Sequence, residues 1–206
     1  MDRRLLIISL SALAVGAALA VMLISSPGPR PGKVKTTGTA AIGGAFTLTN
    51  HHGQVVTEKS LLGKYSLIFF GFTYCPDVCP VAMQNMTAAL DMLGDEADRI
   101  TPVFITTDPE RDTVEKVAEH VAAFHKSFIG LTGTTEQVKT ASKAYRIYAA
   151  KSKNADMPDG YTINHASIIY LMGPDGKYLT HFNHSTPPKA MALRIKLIWG
   201  QIDNGS

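Results

Sequence analysis

Cysteine is the scarcest informative residue in this chain of 206: only Cys75 and Cys79 occur. The disulfide framework that staples small secreted domains is therefore excluded. A bond closing so short a loop would restrict few unfolded conformations and add little entropic stability. Chemistry, not stapling, explains a pair of thiols at this spacing. Charge of one sign is also lacking, since 20 basic residues face 17 acidic ones and no basic block exceeds Arg3-Arg4. Without a basic stripe, nucleic acid is excluded as the expected partner. No internal repeat or low-complexity tract is visible, and a hydrophobic content of 45% suits one ordinary core plus an apolar appendage.

That appendage is the uncharged run from Leu5 to Ile24, broken only by Ser9, Ser11 and Gly16. About 20 such residues cross a bilayer as one helix. Arginines ahead of the run and a long portion behind it predict a cytoplasmic N-terminus and an external domain. Residues 1–26 are thus expected to be a single transmembrane anchor. Ala18-Leu19-Ala20 also satisfies a signal-cleavage pattern, but the run outlasts the ~7–15-residue core of a signal peptide. Residues 27–44, rich in Pro, Gly, Thr and Lys, read as a flexible linker. Residues 45–206 then form one domain of ordinary size.

Within it, Ala45–Thr49 and Gln54–Thr57 read as a hairpin around Asn50-His51-His52-Gly53. The run Ser66–Thr73 is apolar on both faces, as a central strand covered from two sides should be. Helical spacing runs from Pro80 to Leu93, with Gly94 as a stop. Ile100–Thr106 is a second buried strand, and Asp112-Thr-Val-Glu115 resembles a capping box opening a helix to about Phe124. A short strand at Ile129–Leu131 and a helix at Thr135–Tyr145 follow. A hairpin across Gly173-Pro-Asp-Gly176 and a helix over Pro188–Gly200 end the pattern. This order predicts an α/β, thioredoxin-like fold.

The cysteines fall where the first buried strand meets the first helix. A helix starting at Pro76 would put Pro80 at its fifth position, without an amide and clashing with residue 76. The helix is therefore expected to start at Pro80 with Cys79 as its cap, where the macrodipole favours the Cys79 thiolate. With Pro76-Asp77-Val78 turning between them, both sulfurs can face one open site. Three intervening residues suit a separation that either closes into a disulfide or opens around a metal, and two soft thiolates select Cu(I) or Zn(II) over hard cations.

Of the seven histidines, His51, His52, His120, His125, His181 and His184 read as surface residues in turns, on polar helix faces or beside a terminal strand. His165 differs, because Tyr161-Thr-Ile-Asn-His165 leads into the last strand pair, whose end lies beside the cysteine loop in such a sheet. Both a ligand and a loop histidine satisfied by backbone fit that position. Asp108, before Pro109, reads either as a helix cap or as a carboxylate tuning the site from behind. Phe72 and Tyr74 read as wall and core.

Three blocks, Gly71-Phe-Thr-Tyr-Cys75-Pro-Asp-Val-Cys79-Pro, Thr106-Thr-Asp108-Pro-Glu-Arg-Asp-Thr113 and Tyr161-Thr-Ile-Asn-His165, resemble the Sco (SenC/PrrC) family over about residues 46–199. The resemblance implies a thioredoxin-like domain on one transmembrane anchor, facing the periplasm from a bacterial inner membrane or lying in the mitochondrial equivalent. It implies one copper ion, Cu(I) or Cu(II), held by Cys75, Cys79 and His165, with Asp108 behind them. The implied function is a metallochaperone for the CuA centre of cytochrome c oxidase. The implied partners are oxidase subunit II and, further off, other copper chaperones or thioredoxin-like reductants. The alternative is a thiol-disulfide reductase acting on the CuA-site cysteines, with Cys75 and Cys79 as the redox pair. A peroxidase, which needs a separate resolving cysteine, and a zinc site of the same ligands are weaker expectations. One departure is visible: the family's Asp-His-Ser around the histidine is Asn164-His165-Ala166 here.

Overall fold

The computed structural model describes residues 41–203, so the expected anchor at 1–26 lies outside the described residues. Among the described residues no helix is long and apolar enough to cross a membrane. Of the expected linker only Ala41–Gly44 are described, and they already touch the domain. Arg146 Nε donates to Ala41 O at 3.1 Å, and Gly43 N to Ala144 O at 3.0 Å.

The strands are β1 (Thr47–Asn50), β2 (Val55–Thr57), β3 (Tyr65–Gly71), β4 (Ile100–Thr106), β5 (Ile129–Thr132), β6 (Ala149–Lys153), β7 (Tyr161–His165), β8 (Ile168–Met172) and β9 (Tyr178–Asn183). The helices are α1 (Val78–Leu93), α2 (Val114–Ala122), α3 (Thr135–Ala144) and α4 (Pro188–Asp203). Seven strands form one sheet in the order β2-β1-β5-β4-β3-β8-β9, in which β3, β4 and β5 run parallel. Alternation along the central strands splits the core in two. Leu67, Phe69, Phe104, Ile169 and Leu171 pack under α1, α2 and α4, whereas Ile68, Phe70, Val103, Ile105 and Tyr170 pack under α3. Both faces of β3 are covered, which is why all seven of its residues are buried.

The expected β1–β2 and β8–β9 hairpins are present. The β6–β7 hairpin was not anticipated; it forms a separate sheet of two strands. Its sequence gives little warning, because among its residues only Ile163 is buried and no apolar alternation marks a strand.

Three local expectations are corrected. The first helix begins at Val78, not Pro80, with Asp77 rather than Cys79 at the cap position. Pro80 is then its third residue, where a missing N–H is one of the amides no helix satisfies and residue 76 is outside the helix. The second helix begins at Val114, with Thr113 Oγ1 accepting from Lys116 N at 3.3 Å; Asp112 is not part of a capping box. Nor does Asp108 cap a helix, since residues 109–111 form a turn.

Candidate metal centre

Parallel pairing of β3 with β4 puts Gly71 beside Thr106 and releases both chains at one edge of the sheet. Thr107 joins the two loops there, donating from its amide at 2.7 Å and its hydroxyl at 3.0 Å to Gly71 O. The carboxylate of Asp112, fully buried, then pins the start of the cysteine loop. It accepts from Thr73 N at 3.0 Å, Thr73 Oγ1 at 2.5 Å and Thr106 Oγ1 at 2.5 Å. Burial pushes the Asp112 carboxyl above its ordinary value, and these donors pull it back. Sequence reasoning mistook this residue for a cap; nothing in the linear pattern says that a carboxylate 39 positions away holds Thr73.

Cys75 and Cys79 are both free and buried, one on the loop and one in the first turn of α1. Cys79 N donates to Cys75 Sγ at 3.4 Å, so the helix N-terminus serves Cys75. His165 ends β7 with its Nε2 at 3.5 Å from Cys79 Sγ. Its Nδ1 lies 3.2 Å from the Ala166 carbonyl, a partner for a proton on that nitrogen, and Nε2 is the nitrogen turned to sulfur. Phe72 and Phe69 meet the imidazole edge-on at 5.8 and 6.2 Å between centroids and wall it in. His165 thus has one ring nitrogen beside a backbone carbonyl and the other facing sulfur. Asn164, which stands where the resembled family carries a carboxylate, is exposed and lines the cavity beside Cys75 and His165.

Gly71 sets how close Cys79 lies to the sheet. A Cβ there would sit 2.9 Å from Cys79 Sγ, 2.8 Å from Phe69 Cε1 and 3.1 Å from Phe104 Cε2. Between the cysteine loop and β7 opens a cavity of about 320 Å³, lined by Phe72, Cys75, Val78, Ile163 and His165 among others.

The electrostatics reverse one expectation. Cys75, not Cys79, is the favoured thiolate: its value falls to about 4, chiefly because the Cys79 thiol donates to it. His165 and the amides of Asp77 and Cys79 add to this and burial opposes it. Cys79 is pushed up, first by that same hydrogen bond and then by burial and the neighbouring negative sulfur.

Among the described residues, Cys75, Cys79 and His165 form the one group of three such donors able to hold a metal ion, their ligand atoms all within 4.8 Å. Two sulfurs and one imidazole nitrogen suit a soft or borderline ion and reject hard cations. Asp108 stands behind the group, accepting from Tyr161 Oη at 3.1 Å and Arg111 Nε at 2.5 Å, so that it joins the 107–112 turn to the strand of His165. Phe72 is core as expected, but Tyr74 is exposed, with Arg111 5.0 Å over its ring. The other histidines stay apart. His51 Nδ1 accepts from Gly130 N at 3.1 Å, and His181 pairs with Tyr178. His120 is a correction: it is tucked against Phe104 and Phe124 with a buried Nε2 that lacks a hydrogen-bond partner, and burial lowers its value.

A family model, SCO1/SenC, matches residues 34–200. The protein sco1 of Schizosaccharomyces pombe is 41% identical over 162 residues, covering 78% of this chain and 62% of that protein. An SCO2-like protein of Rickettsia conorii is 38% identical over 179 residues, 86% of this chain and 87% of its own length. The crystal structure of Arabidopsis thaliana ScoI with copper bound superposes with a TM-score of 0.74 at 38% identity, covering 78% of this chain and 99% of the other. The chain spans between 45% and 62% of the length of several eukaryotic relatives. With its fold and most of its length matched, this chain belongs to the SCO1/SenC family.

Proposed function

We propose that the chain is a copper metallochaperone that binds one copper ion through Cys75, Cys79 and His165 and supplies it to the CuA centre of cytochrome c oxidase, with subunit II as the acceptor. The observation that carries this reading is the convergence of two sulfurs and one imidazole nitrogen within 4.8 Å beside an open cavity. Relatives solved with copper bound support the choice of ion. Copper is cargo here: three protein donors leave room for a partner's thiolate to enter and draw the ion away by ligand exchange. Purified domain dialysed after copper loading should retain about one ion per chain by elemental analysis, and Cys75→Ser or His165→Ala should lose most of it. Retention in both variants, or zinc in place of copper, overturns the assignment.

Residues 1–26 are the proposed anchor and residues 27–44 the proposed tether, holding the domain of residues 45–206 on the periplasmic side of a bacterial inner membrane or its mitochondrial equivalent. The full chain should remain in the membrane fraction after alkaline carbonate extraction; release into the supernatant refutes the anchor.

A second reading is favoured by the state of the sulfurs. Cys75 is a thiolate at neutral pH and Cys79 keeps its proton, the arrangement of an attacking and a resolving thiol. Cys75 would attack a disulfide of the acceptor and form a mixed disulfide with release of one thiolate. Cys79 would then close the Cys75–Cys79 bond and release the acceptor's second sulfur, its proton going to one of the two reduced sulfurs and solvent supplying the other. His165→Ala separates the readings, because thiol exchange survives it and copper transfer does not. If that variant assembles CuA normally, reduction is the function and the metallochaperone reading falls.

A further inference from the structure

His165 reaches the sulfurs from an element that the central sheet does not hold. β6 and β7 pair only with each other, from Ala149 opposite His165 to Lys153 opposite Tyr161. At the His165 end the ribbon is continuous with the segment after α3 and with β8, and Ala166 N donates to Tyr148 O at 3.0 Å. The other end, about 13 Å away at ~3.3 Å per residue, has no chain connection to the body of the domain. A lone two-stranded ribbon is marginally stable in water. Something must hold its far end.

The 107–112 turn does so. Arg111 Nη1 donates to Tyr161 O at 3.1 Å, and the guanidinium lies 3.8 Å over the Tyr161 ring. Tyr161 Oη donates to Asp108 Oδ1, and Asp108 Oδ2 takes Arg111 Nε. Arg111 and Asp108 keep 7% and 1% of their side-chain exposure, so this pair is out of solvent, unlike the exposed Lys151–Glu110 pair alongside. Ile163 and His165 share one face of β7, and Ile163 is its only buried residue. Rolling the ribbon about its attached end would lift both from the core.

We propose that Arg111 is a positioning residue for the metal centre: acting through Tyr161, it fixes the roll of the β6–β7 ribbon and thereby the place of His165. The planar guanidinium is suited to this, stacking on a ring while its fixed fork of donors holds a carboxylate and a carbonyl, whereas an ammonium has no planar face to stack. The proposal rests on the copper reading for its metal readout, but not for its structural one.

In the metal-free protein, Arg111→Gln should speed amide exchange in β7 about tenfold or more while α1 amides keep their protection. Because that change strands the buried Asp108 carboxylate, Asp108→Asn/Arg111→Gln is measured beside it, with the same expectation. Against a competing Cu(I) chelator, either variant should hold the ion about 10- to 100-fold more weakly, the usual loss when a group behind a metal ligand is removed. Tyr161→Phe, which keeps ring and carbonyl, should lose less. In a His165→Ala background the Arg111 change should make no further difference. An equal loss in both backgrounds would show Arg111 acting on the cysteine loop and overturn the proposal, as would unchanged β7 exchange. If the wild type fails to hold Cu(I), the copper assignment falls while the exchange measurement still decides the role of Arg111.

Discussion

Replacing Gly71 by Ala tests how tightly the sheet and the cysteine helix are fitted. Gly71 ends β3 with a negative φ, so alanine meets no backbone strain there. The difficulty is purely one of space. Contacts of 2.8 Å to Phe69 Cε1 and 2.9 Å to Cys79 Sγ fall well inside the roughly 3.5–4.0 Å of a relaxed carbon contact. Phe69 and Phe104 are fully buried and have nowhere to go, so Cys79 and the start of α1 must yield by several tenths of an ångström. Overpacking of this kind costs about 1–3 kcal/mol. At roughly 2–4 °C per kcal/mol for a domain of this size, the melting temperature of the metal-free domain should fall by several degrees. Metal sites tolerate about 0.2 Å of ligand displacement, so copper retention against a chelator should drop as well. Unchanged melting refutes the close approach. Lower melting with full copper retention refutes the claim that Cys79 is the group that moves.

Alkylation of the metal-free reduced domain should label Cys75 at a rate nearly flat from about pH 5 to 9 and leave Cys79 untouched, since its sulfur is sealed. A rate rising tenfold per pH unit up to pH 8 refutes the thiolate assignment. Because the folded Cys75 value lies below the unfolded one, its charge stabilises the domain above the unfolded value, and that contribution is lost as pH falls through about 4. Asp112→Asn removes the charge from three buried hydrogen bonds and forces a threonine hydroxyl to turn, and chemical denaturation should show a loss of about 1–3 kcal/mol. The wild-type carboxyl, raised on folding, keeps its proton longer than in the unfolded chain, so it makes stability fall as pH rises through that interval. The Asn variant should lack this slope, and an identical slope in both would remove Asp112 as its cause. His120→Phe removes a buried nitrogen without a partner; since folding lowers the His120 value, wild-type stability declines as pH drops below the unfolded value of 6.5. Thermal melts should show the variant gaining over wild type as pH falls from 7 to 5, and a constant difference would count against this.

The primary sequence alone determined the layers of this domain and the pairing of its two cysteines at one junction. Strands covered on both faces at Tyr65–Gly71 and Ile100–Thr106 need helices above and below, and period-two alternation assigns each side chain to one of two cores whatever the rest of the chain does. The spacing of Cys75 and Cys79 at a strand-to-helix junction is local too, so it was legible before any coordinates. Tertiary structure alone decided the rest. Which sulfur bears the charge depends on where one amide and one thiol proton point, and a two-residue shift in the start of α1 exchanged the roles of Cys75 and Cys79. Asp112 against Thr73 and Arg111 against Tyr161 are contacts between segments 39 and 50 residues apart. Such contacts leave no periodic trace, because each joins one polar side chain to groups on a segment whose spacing from it in the chain follows no structural period. The same is true of the ribbon that carries His165: with Ile163 alone buried, its strands are held by distant partners and not by a pattern of their own.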